Sequence, residues 1–314
     1  MFVRGVPFVL LQAIFGAQEA VAPGAPVALV GGVVRDVLLQ RLHNDPWRGL
    51  LDLDLVVEGS GAALVQQLAL ELAQRGFEGA ITGSQIHGAY GTVELELAVA
   101  GQSLLLDVAT ARQESYCVPA ENPQVRFGAL ADDLARRDFT INAMALVLAG
   151  AGSLSPALLD PHGGQADLER RQLRLLHGQS LRDDPTRLLR GARYGARLGF
   201  DLAPESLADA ARTLAEWPWL WRHGDPPDQA PAALGTRLRM ELELLLEREP
   251  WPQALAALQR WGALVLLDPQ LQADQIWPRR LRWAQRLGLP LMVALVAGAS
   301  DPLALAERLQ LPHA

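Results

Sequence analysis

A short apolar run, Val27–Val30, meets a glycine pair, Gly31-Gly32, and a second apolar run soon after carries Asp52-Leu53-Asp54. No other feature constrains the fold so tightly. Short apolar runs bounded by glycine read as buried strands, here Val27–Val30 and Leu51–Val57. The glycine pair turns the first strand into a short helix, Val33–Leu39. A helix entered this way presents free backbone N–H groups and a positive dipole end, which suits a triphosphate. Residues two apart on a strand share a face, so the Asp52 and Asp54 carboxylates point the same way. Together they can hold Mg²⁺, a hard cation that wants oxygen ligands. A tight turn and an exposed strand face are the plainer readings of the same residues.

The rest of the chain divides into two textures. The first ~150 residues alternate short strands with amphipathic segments, an α/β pattern. Ala62–Gln74 reads as a helix ended by Gly76. Thr92–Val99 and Ser103–Ala109 read as a hairpin turning at Ala100-Gly101. Residues 112–133, with Pro119 and Pro123, read as irregular. Beyond Leu168 the chain is rich in Leu, Ala and Arg at helical spacing, and we read it as all helical. Proline-rich Trp217–Pro231 reads as a loop within it. The expected layout is an α/β domain over 1–150, a helical module over 151–215 and a second one over 216–314.

Two apolar segments bear on location. Val6–Ala17 precedes Ala20-Val21-Ala22, which imitates a signal-peptide cleavage site; a thin basic flank and Gln12 favour a helix. Leu287–Ala299 contains Pro290 and falls short of the ~20 residues that span a bilayer. The expected protein is soluble and cytoplasmic, with no membrane partner. The single cysteine, Cys117, excludes an internal disulfide and a cysteine-cluster metal site. The six histidines lack metal-ligand spacing and read as structural or solvated.

Charge sharpens the functional reading. All 28 basic residues are arginine, against 35 acids, for a net charge of −7. A nucleic-acid binder relying on overall positive charge is thereby disfavoured, whereas a local basic surface is allowed. Between Arg170 and Arg197 eight arginines face two aspartates. In Asp183-Asp184-Pro185-Thr186-Arg187, Asp184 suits an N-cap, Pro185 the first helical position and Gly199 the stop. Along that helix Arg187, Arg190, Arg193 and Arg197 fall on one side, with Leu188, Leu189, Ala192 and Ala196 opposite. The stripe reads as an anion-binding face, because a plain solvated face usually mixes signs. In Asp133–Ala145, a helical stretch would set Arg137, Asp138 and Asn142 on neighbouring turns. Arg can pair phosphates while Asp and Asn can read ribose hydroxyls; a solvated helix start with an Arg–Asp pair remains the alternative.

Taken in order, these blocks resemble the class II tRNA nucleotidyltransferase and bacterial poly(A) polymerase family. The matching stretches are Leu29–Asp36, Asp52–Asp54, Asp107–Tyr116, Asp133–Ala145, Asp160–Arg174 and Asp183–Phe200, with Gly235–Leu246 weaker. The resemblance implies an α+β protein: a polymerase-β-like nucleotidyltransferase head, then all-helical neck and body. It implies that Asp52 and Asp54 carry two catalytic Mg²⁺ ions and that Gly32 and Arg35 touch the nucleotide. Arg137 would contact the nucleotide too, with Asp138 and Asn142 near its ribose. Asp184 and Arg187 would read the base edge, with Arg190 and Arg193 continuing the site. The implied reaction adds CCA, or its terminal A, to tRNA 3′ ends from CTP and ATP.

The chain departs from the family in three places. Asp183 stands where the family usually has Glu. The stretch between Asp36 and Asp52 is long and reads as a surface insertion. The chain is also short for the family and lacks the basic C-terminal extension of its poly(A) polymerases, which makes poly(A) synthesis the second reading. Arg112–Arg126 resembles the loop needed for the final A, which weighs against CC-only addition. A non-enzymatic RNA-binding module is disfavoured because both aspartates are present, and a small-molecule nucleotidyltransferase because of the long Arg-bearing half. Arg212, Arg222, Arg237 and Arg239 are the expected acceptor-stem contacts.

Overall fold

The computed structural model describes residues 5–45, 52–87, 91–148 and 157–312. The chain forms two compact units. The first comprises 1–114 and 125–170, the second 115–124 and 171–314.

The first unit holds, in order, α1 (Phe8–Val21), β1 (Val27–Val30), α2 (Gly32–His43), β2 (Leu53–Val57), α3 (Gly61–Gln74), β3 (Ile81–His87), β4 (Thr92–Val99) and β5 (Gln102–Thr110). A two-stranded ribbon of β6 (Arg112–Ser115) and β7 (Gln124–Phe127) marks where the chain leaves this unit and returns. Next come α4 (Leu130–Ala135), β8 (Ala145–Val147), β9 (Ala157–Leu159) and α5 (Gly164–Arg170). Seven strands form one mixed sheet in the order β3-β4-β5-β2-β1-β8-β9. Only β2 and β5 run parallel; every other neighbouring pair is antiparallel. Leu53, Leu55, Leu95, Leu97, Leu106 and Val108 are buried, alternating along their strands with polar residues. That alternation places the core on one face and leaves acids on the other. Helices α1 and α3 pack together, and α3 packs on β4 and β5.

The expected hairpin forms as β4 and β5, with Ala100 at φ 52° and Gly101 at φ 77° between them. Two positive φ values in a two-residue loop match the twist of the strands they join. Two sequence expectations in this unit are corrected, and one strand is not foreseen. Residues 112–133 are not irregular throughout, because β6 and β7 pair across the proline-bearing segment and α4 follows. The strand β3 lacks a strand signal in the sequence; its Thr-Gly-Ser-Gln composition is that of an edge strand, exposed along much of its length. Asp133–Ala145 is not one helix. Helix α4 stops at Ala135, and the Asp138 carboxylate accepts the Phe139 N–H at 2.7 Å in the turn beyond it. A 3₁₀ turn covers Thr140–Asn142, and β8 then joins β1 edge to edge. The buried run through Leu146 gains a strand partner there that a continued helix would forgo.

The second unit is helical apart from a two-residue parallel pair, β10 (Gln172–Leu173) with β11 (Asp201–Leu202), a small exception to the all-helical expectation. Its helices are α6 (Ser180–Asp183), α7 (Arg187–Leu198), α8 (Pro204–Glu216), α9 (Thr236–Arg248), α10 (Trp251–Arg260), α11 (Pro269–Ala273), α12 (Trp277–Arg286), α13 (Leu291–Val296) and α14 (Pro302–Arg308). The loop after α8 is an aromatic knot. Trp217 and Trp219 meet edge to face at 4.9 Å, and the Arg308 guanidinium lies 4.6 Å from the Trp221 ring centroid. Arg308 is buried, and burial pulls its pKa down to about 10. The indole of Trp219 donates to the Arg182 carbonyl at 3.0 Å, tying the knot to α6.

Candidate active site

In the first unit, register assembles the site. Val30 pairs with Asp54, so the chain emerging from β1 turns directly beside that carboxylate. Gly31 makes the turn at φ 68°, and a Cβ there would lie 2.8 Å from Asp54 Oδ2 and 3.3 Å from Arg137 Nη1. A side chain is therefore excluded by both conformation and space. Gly31→Ala is expected to cut activity at least tenfold through displacement of Asp54, with far-UV circular dichroism unchanged; wild-type turnover in that variant would refute the packing described here. Helix α2 starts at Gly32 with no side-chain cap, leaving its first N–H groups available to an anion.

Asp52 lies just before β2 and is exposed, while Asp54 is half-buried on it. Burial, then the Asp52 charge, pushes the Asp54 carboxyl up to about 6, with Arg137 and Arg35 opposing. Residue spacing does not single out Asp107, yet the parallel β2–β5 register sets it level with Asp54, and Glu94 lies level with Asp107 on β4. Burial first, then Glu94 and Asp52, raise the Asp107 pKa. A strand-by-strand carboxylate row is a signal that appears only once pairing is known. Among the described residues no three acid, histidine or cysteine side chains surround one point. The Asp52–Asp54 pair is thus an open site of hard oxygen donors with unbalanced negative charge. That fits Mg²⁺, which typically takes one or two carboxylates and completes its shell with water and substrate phosphate.

Arginines and amides border this pair. Arg35 is buried; it donates to Asn142 Oδ1 at 3.0 Å and to Asp36 at 2.7 Å. Asn142 in turn donates to Asp138 Oδ1 at 3.0 Å. Arg137 reaches the Asn142 carbonyl at 3.3 Å and pairs with the fully buried Asp133 at 2.9 Å. Asp133 also holds Arg136 at 2.6 Å, and Arg136 reaches Glu114 at 2.9 Å. Thr140 donates to buried Asp167 at 2.7 Å, fixing the turn that carries Asn142. Arg35, Arg137, Asp138 and Asn142 are therefore joined in one polar network next to Asp54, and Gly32 opens α2 on the turn beside it. Of the long stretch after Asp36, residues 46–51 lie outside the described residues; His43 Nε2 lies 3.0 Å from the Leu168 carbonyl, a structural contact.

In the second unit the Asp183–Arg187 motif departs from its sequence reading. Helix α7 begins at Arg187, and Asp184 closes a local turn, accepting from the Thr186 amide at 3.0 Å and its hydroxyl at 2.6 Å. Its other oxygen takes Arg237 at 3.3 Å. Arg237 also donates to the Ala120 and Glu121 carbonyls, and the Ala120 amide donates to the Asp183 carbonyl at 3.1 Å. Burial raises the Asp183 pKa against the pull of His177 and Arg187. Arg187 is buried, and α7 ends at Gly199 as expected.

The arginine stripe is not an open anion-binding face. Arg190 and Arg193 both pair with Glu241 of α9, Arg190 at 3.2 Å. Arg197 pairs with buried Glu249, which also lies 3.7 Å from Arg193. The missing negative partners sit about fifty residues away rather than on the same helix. Three of the four expected acceptor-stem arginines are likewise engaged: Arg237 as above, Arg239 with the Gln310 carbonyl, and Arg212 with Asp209 at 2.5 Å; Arg222 is exposed and tied through its backbone amide to Asp225 at 2.7 Å.

An Asp pair beside a glycine turn and a helix start, on a mixed sheet followed by a helical half, defines a nucleotidyltransferase. Residues 27–174 match the poly(A) polymerase head domain family. The chain is 39% identical over 297 residues to the CC-adding tRNA nucleotidyltransferase of Deinococcus radiodurans, covering 92% of this chain and 68% of that protein. It is 41% identical over 174 residues to the A-adding tRNA nucleotidyltransferase of Halalkalibacterium halodurans, covering 55% of this chain and 36% of that one. A solved CCA-adding enzyme, apo form II, superposes with a TM-score of 0.74 at 27% identity over 99% of this chain and 70% of that one. The chain belongs to the tRNA nucleotidyltransferase and poly(A) polymerase family. Among the described residues no helix is long and apolar enough to cross a membrane.

Proposed function

We propose that this protein is a cytoplasmic tRNA nucleotidyltransferase that adds CCA, or its terminal A, to tRNA 3′ ends without a nucleic-acid template. The observation that carries this reading is the Asp52–Asp54 pair set against Gly31, the open start of α2 and Arg137. CTP and ATP are the donors. The RNA 3′-oxygen attacks the α-phosphorus, the bond to the β-phosphate oxygen breaks, pyrophosphate leaves, and the hydroxyl proton passes to solvent. Asp52 and Asp54 hold the catalytic cations; Mg²⁺, when bound, activates the attacking hydroxyl and neutralises charge on the leaving oxygen. The α2 amides from Gly32 onward and Arg137 take the phosphates. Arg35, Asn142 and Asp138, locked to one another, present fixed donors and acceptors to the ribose. In the helical neck, up to residue 215, Asp184 and Arg187 read the base edge. Arg190 and Arg193, held by Glu241, support that helix and border the nucleotide.

Replacing Arg187 with Ala is expected to relax nucleotide choice, since a guanidinium is a rigid fork of donors that selects among base acceptors. GTP and UTP incorporation should rise relative to CTP and ATP by roughly tenfold, the equivalent of one hydrogen bond to a charged group. An unchanged ratio with slower turnover would assign Arg187 to phosphate binding.

Addition of CC alone takes the place of poly(A) synthesis as the second reading, favoured by the long alignment with the Deinococcus CC-adding enzyme. The deciding experiment incubates tRNA lacking its CCA end with CTP, ATP or both and sequences the 3′ ends. Products ending in CCA, or A added only to tRNA ending in CC, support the proposal. Products ending in CC with both nucleotides present support the second reading, and no extension refutes both.

A further inference from the structure

From residue 275 to residue 300 the chain carries four arginines and no acid, in a protein whose net charge is −7. Helix α12 sorts them. Trp277, Leu281 and Ala284 face inward and are buried. Arg280 braces α13, donating to the Ala294 carbonyl at 2.7 Å and pairing with Asp274 at 2.8 Å. Arg279, Arg282 and Arg286 are exposed, and so is Trp283 between them at 50%. Positions 279, 283 and 286 are spaced three and four apart and so share one face of the helix, with 282 alongside. The Arg286 guanidinium stands 5.4 Å from the Trp283 ring centroid.

Many arginines elsewhere in this unit are answered by acids: Arg190 and Arg193 by Glu241, Arg197 by Glu249, Arg237 by Asp184 and Arg260 by Asp201. Arg279, Arg282 and Arg286 have no acidic partner among the described residues. Exposed indoles are costly to leave in water, and here the ring is framed by uncompensated positive charge. Guanidiniums match phosphates, and an indole offers a stacking face to a base. A second copy of this chain would bring the same three charges against these.

We propose that this face of α12 is an RNA-docking surface, on which Trp283 stacks on an unpaired base while Arg279, Arg282 and Arg286 neutralise flanking phosphates. The proposal rests on the RNA substrate assigned above. It replaces Arg237 and Arg239, which serve internal contacts, as the source of salt-dependent RNA affinity.

The test uses the full chain with tRNA lacking CCA. Changing all three arginines to Gln should raise the tRNA KM at least tenfold while leaving the nucleotide KM and kcat at saturating tRNA unchanged. The log–log salt slope of tRNA affinity, measured by anisotropy, should become shallower by about two to three, at ~0.7–0.9 for each phosphate no longer neutralised. Trp283→Ala should weaken binding roughly 5- to 100-fold, with Trp283→Phe recovering most of it, since stacking needs only an aromatic face. Unchanged tRNA affinity and slope in folded variants would overturn the surface while leaving the function intact. A concentration-dependent dimer that Trp283→Ala abolishes, with RNA affinity unchanged, would also overturn it and make this face an interface between copies. Should the wild type extend no RNA, the function proposed above fails, and anisotropy with a single-stranded RNA oligonucleotide still decides whether this face binds RNA.

Discussion

Asp54→Asn is expected to lose roughly 10³-fold or more in nucleotidyl transfer and yet to unfold at a higher temperature than the wild type. Loss of activity follows from the proposed function, in which the cation that Asp54 helps to hold would stabilise charge at the reacting phosphate. The gain in stability follows from the Asp54 pKa, raised from 3.8 to about 6 by burial and by Asp52. Below about pH 4 the group is protonated in both folded and unfolded chains, and it costs nothing. Between 4 and 6 the native state keeps the proton that the unfolded state has released, so stability falls as pH rises. Above 6 the full cost is present. Two units correspond to about 3 kcal/mol as an upper bound, at 1.36 kcal/mol per unit. The amide removes that cost, and a rise of several degrees in Tm at pH 7 is the corresponding signal. Mg²⁺ acts in the opposite sense on the wild type: cation binding offsets the repulsion, so millimolar Mg²⁺ should raise the wild-type Tm and leave that of Asp54→Asn unmoved. Thermal melts at pH 4.5 and 7.5, with and without Mg²⁺, check each arm. A variant that turns over normally, or melts at the wild-type temperature without Mg²⁺ at pH 7.5, would remove Asp54 from the metal pair.

Asp133→Ala should be the most destabilising single change in the first unit. The carboxylate is fully buried and each oxygen serves one arginine, Arg136 at 2.6 Å and Arg137 at 2.9 Å. Removing one member of a buried ion pair leaves charge without compensation and costs ~3–5 kcal/mol. Both guanidiniums keep a second acceptor, Glu114 for Arg136 and the Asn142 carbonyl for Arg137, which places the expected loss toward the lower end. The functional effect is separate. Arg137 borders both Gly31 and Asp54, and without Asp133 its guanidinium is no longer aimed, so the nucleotide KM should rise about tenfold or more. Urea denaturation and nucleotide kinetics measure the two effects. A loss of stability with an unchanged KM would confine Asp133 to the scaffold.

Much of the head's layout was legible because it is written in local patterns. Val27–Val30 and Leu51–Val57 read as short apolar runs, the second of which forms a strand only from Leu53, Gly31-Gly32 breaks the first, and the two-residue spacing of Asp52 and Asp54 survives any tertiary arrangement. The stop of α7 at Gly199 and the turn at Ala100-Gly101 are local in the same sense. Prediction failed where the deciding partner lies far along the chain. The segment from Arg136 to Ala145 has helical character on paper, yet β1 recruits its end as a strand and Asp138 turns its start.

By itself, then, the sequence determined the two textures of the chain, the glycine turn and the close spacing of Asp52 and Asp54, because backbone propensity and side-chain periodicity act within a few residues. Tertiary structure alone decided which charges are answered. Glu241 and Glu249 neutralise a stripe that reads as bare from Arg187 to Arg197, and Arg237 turns inward to Asp184. Register alone sets Asp107 level with Asp54. Charge is compensated through space rather than along the chain, so a basic run is informative only once the elements packed against it are known.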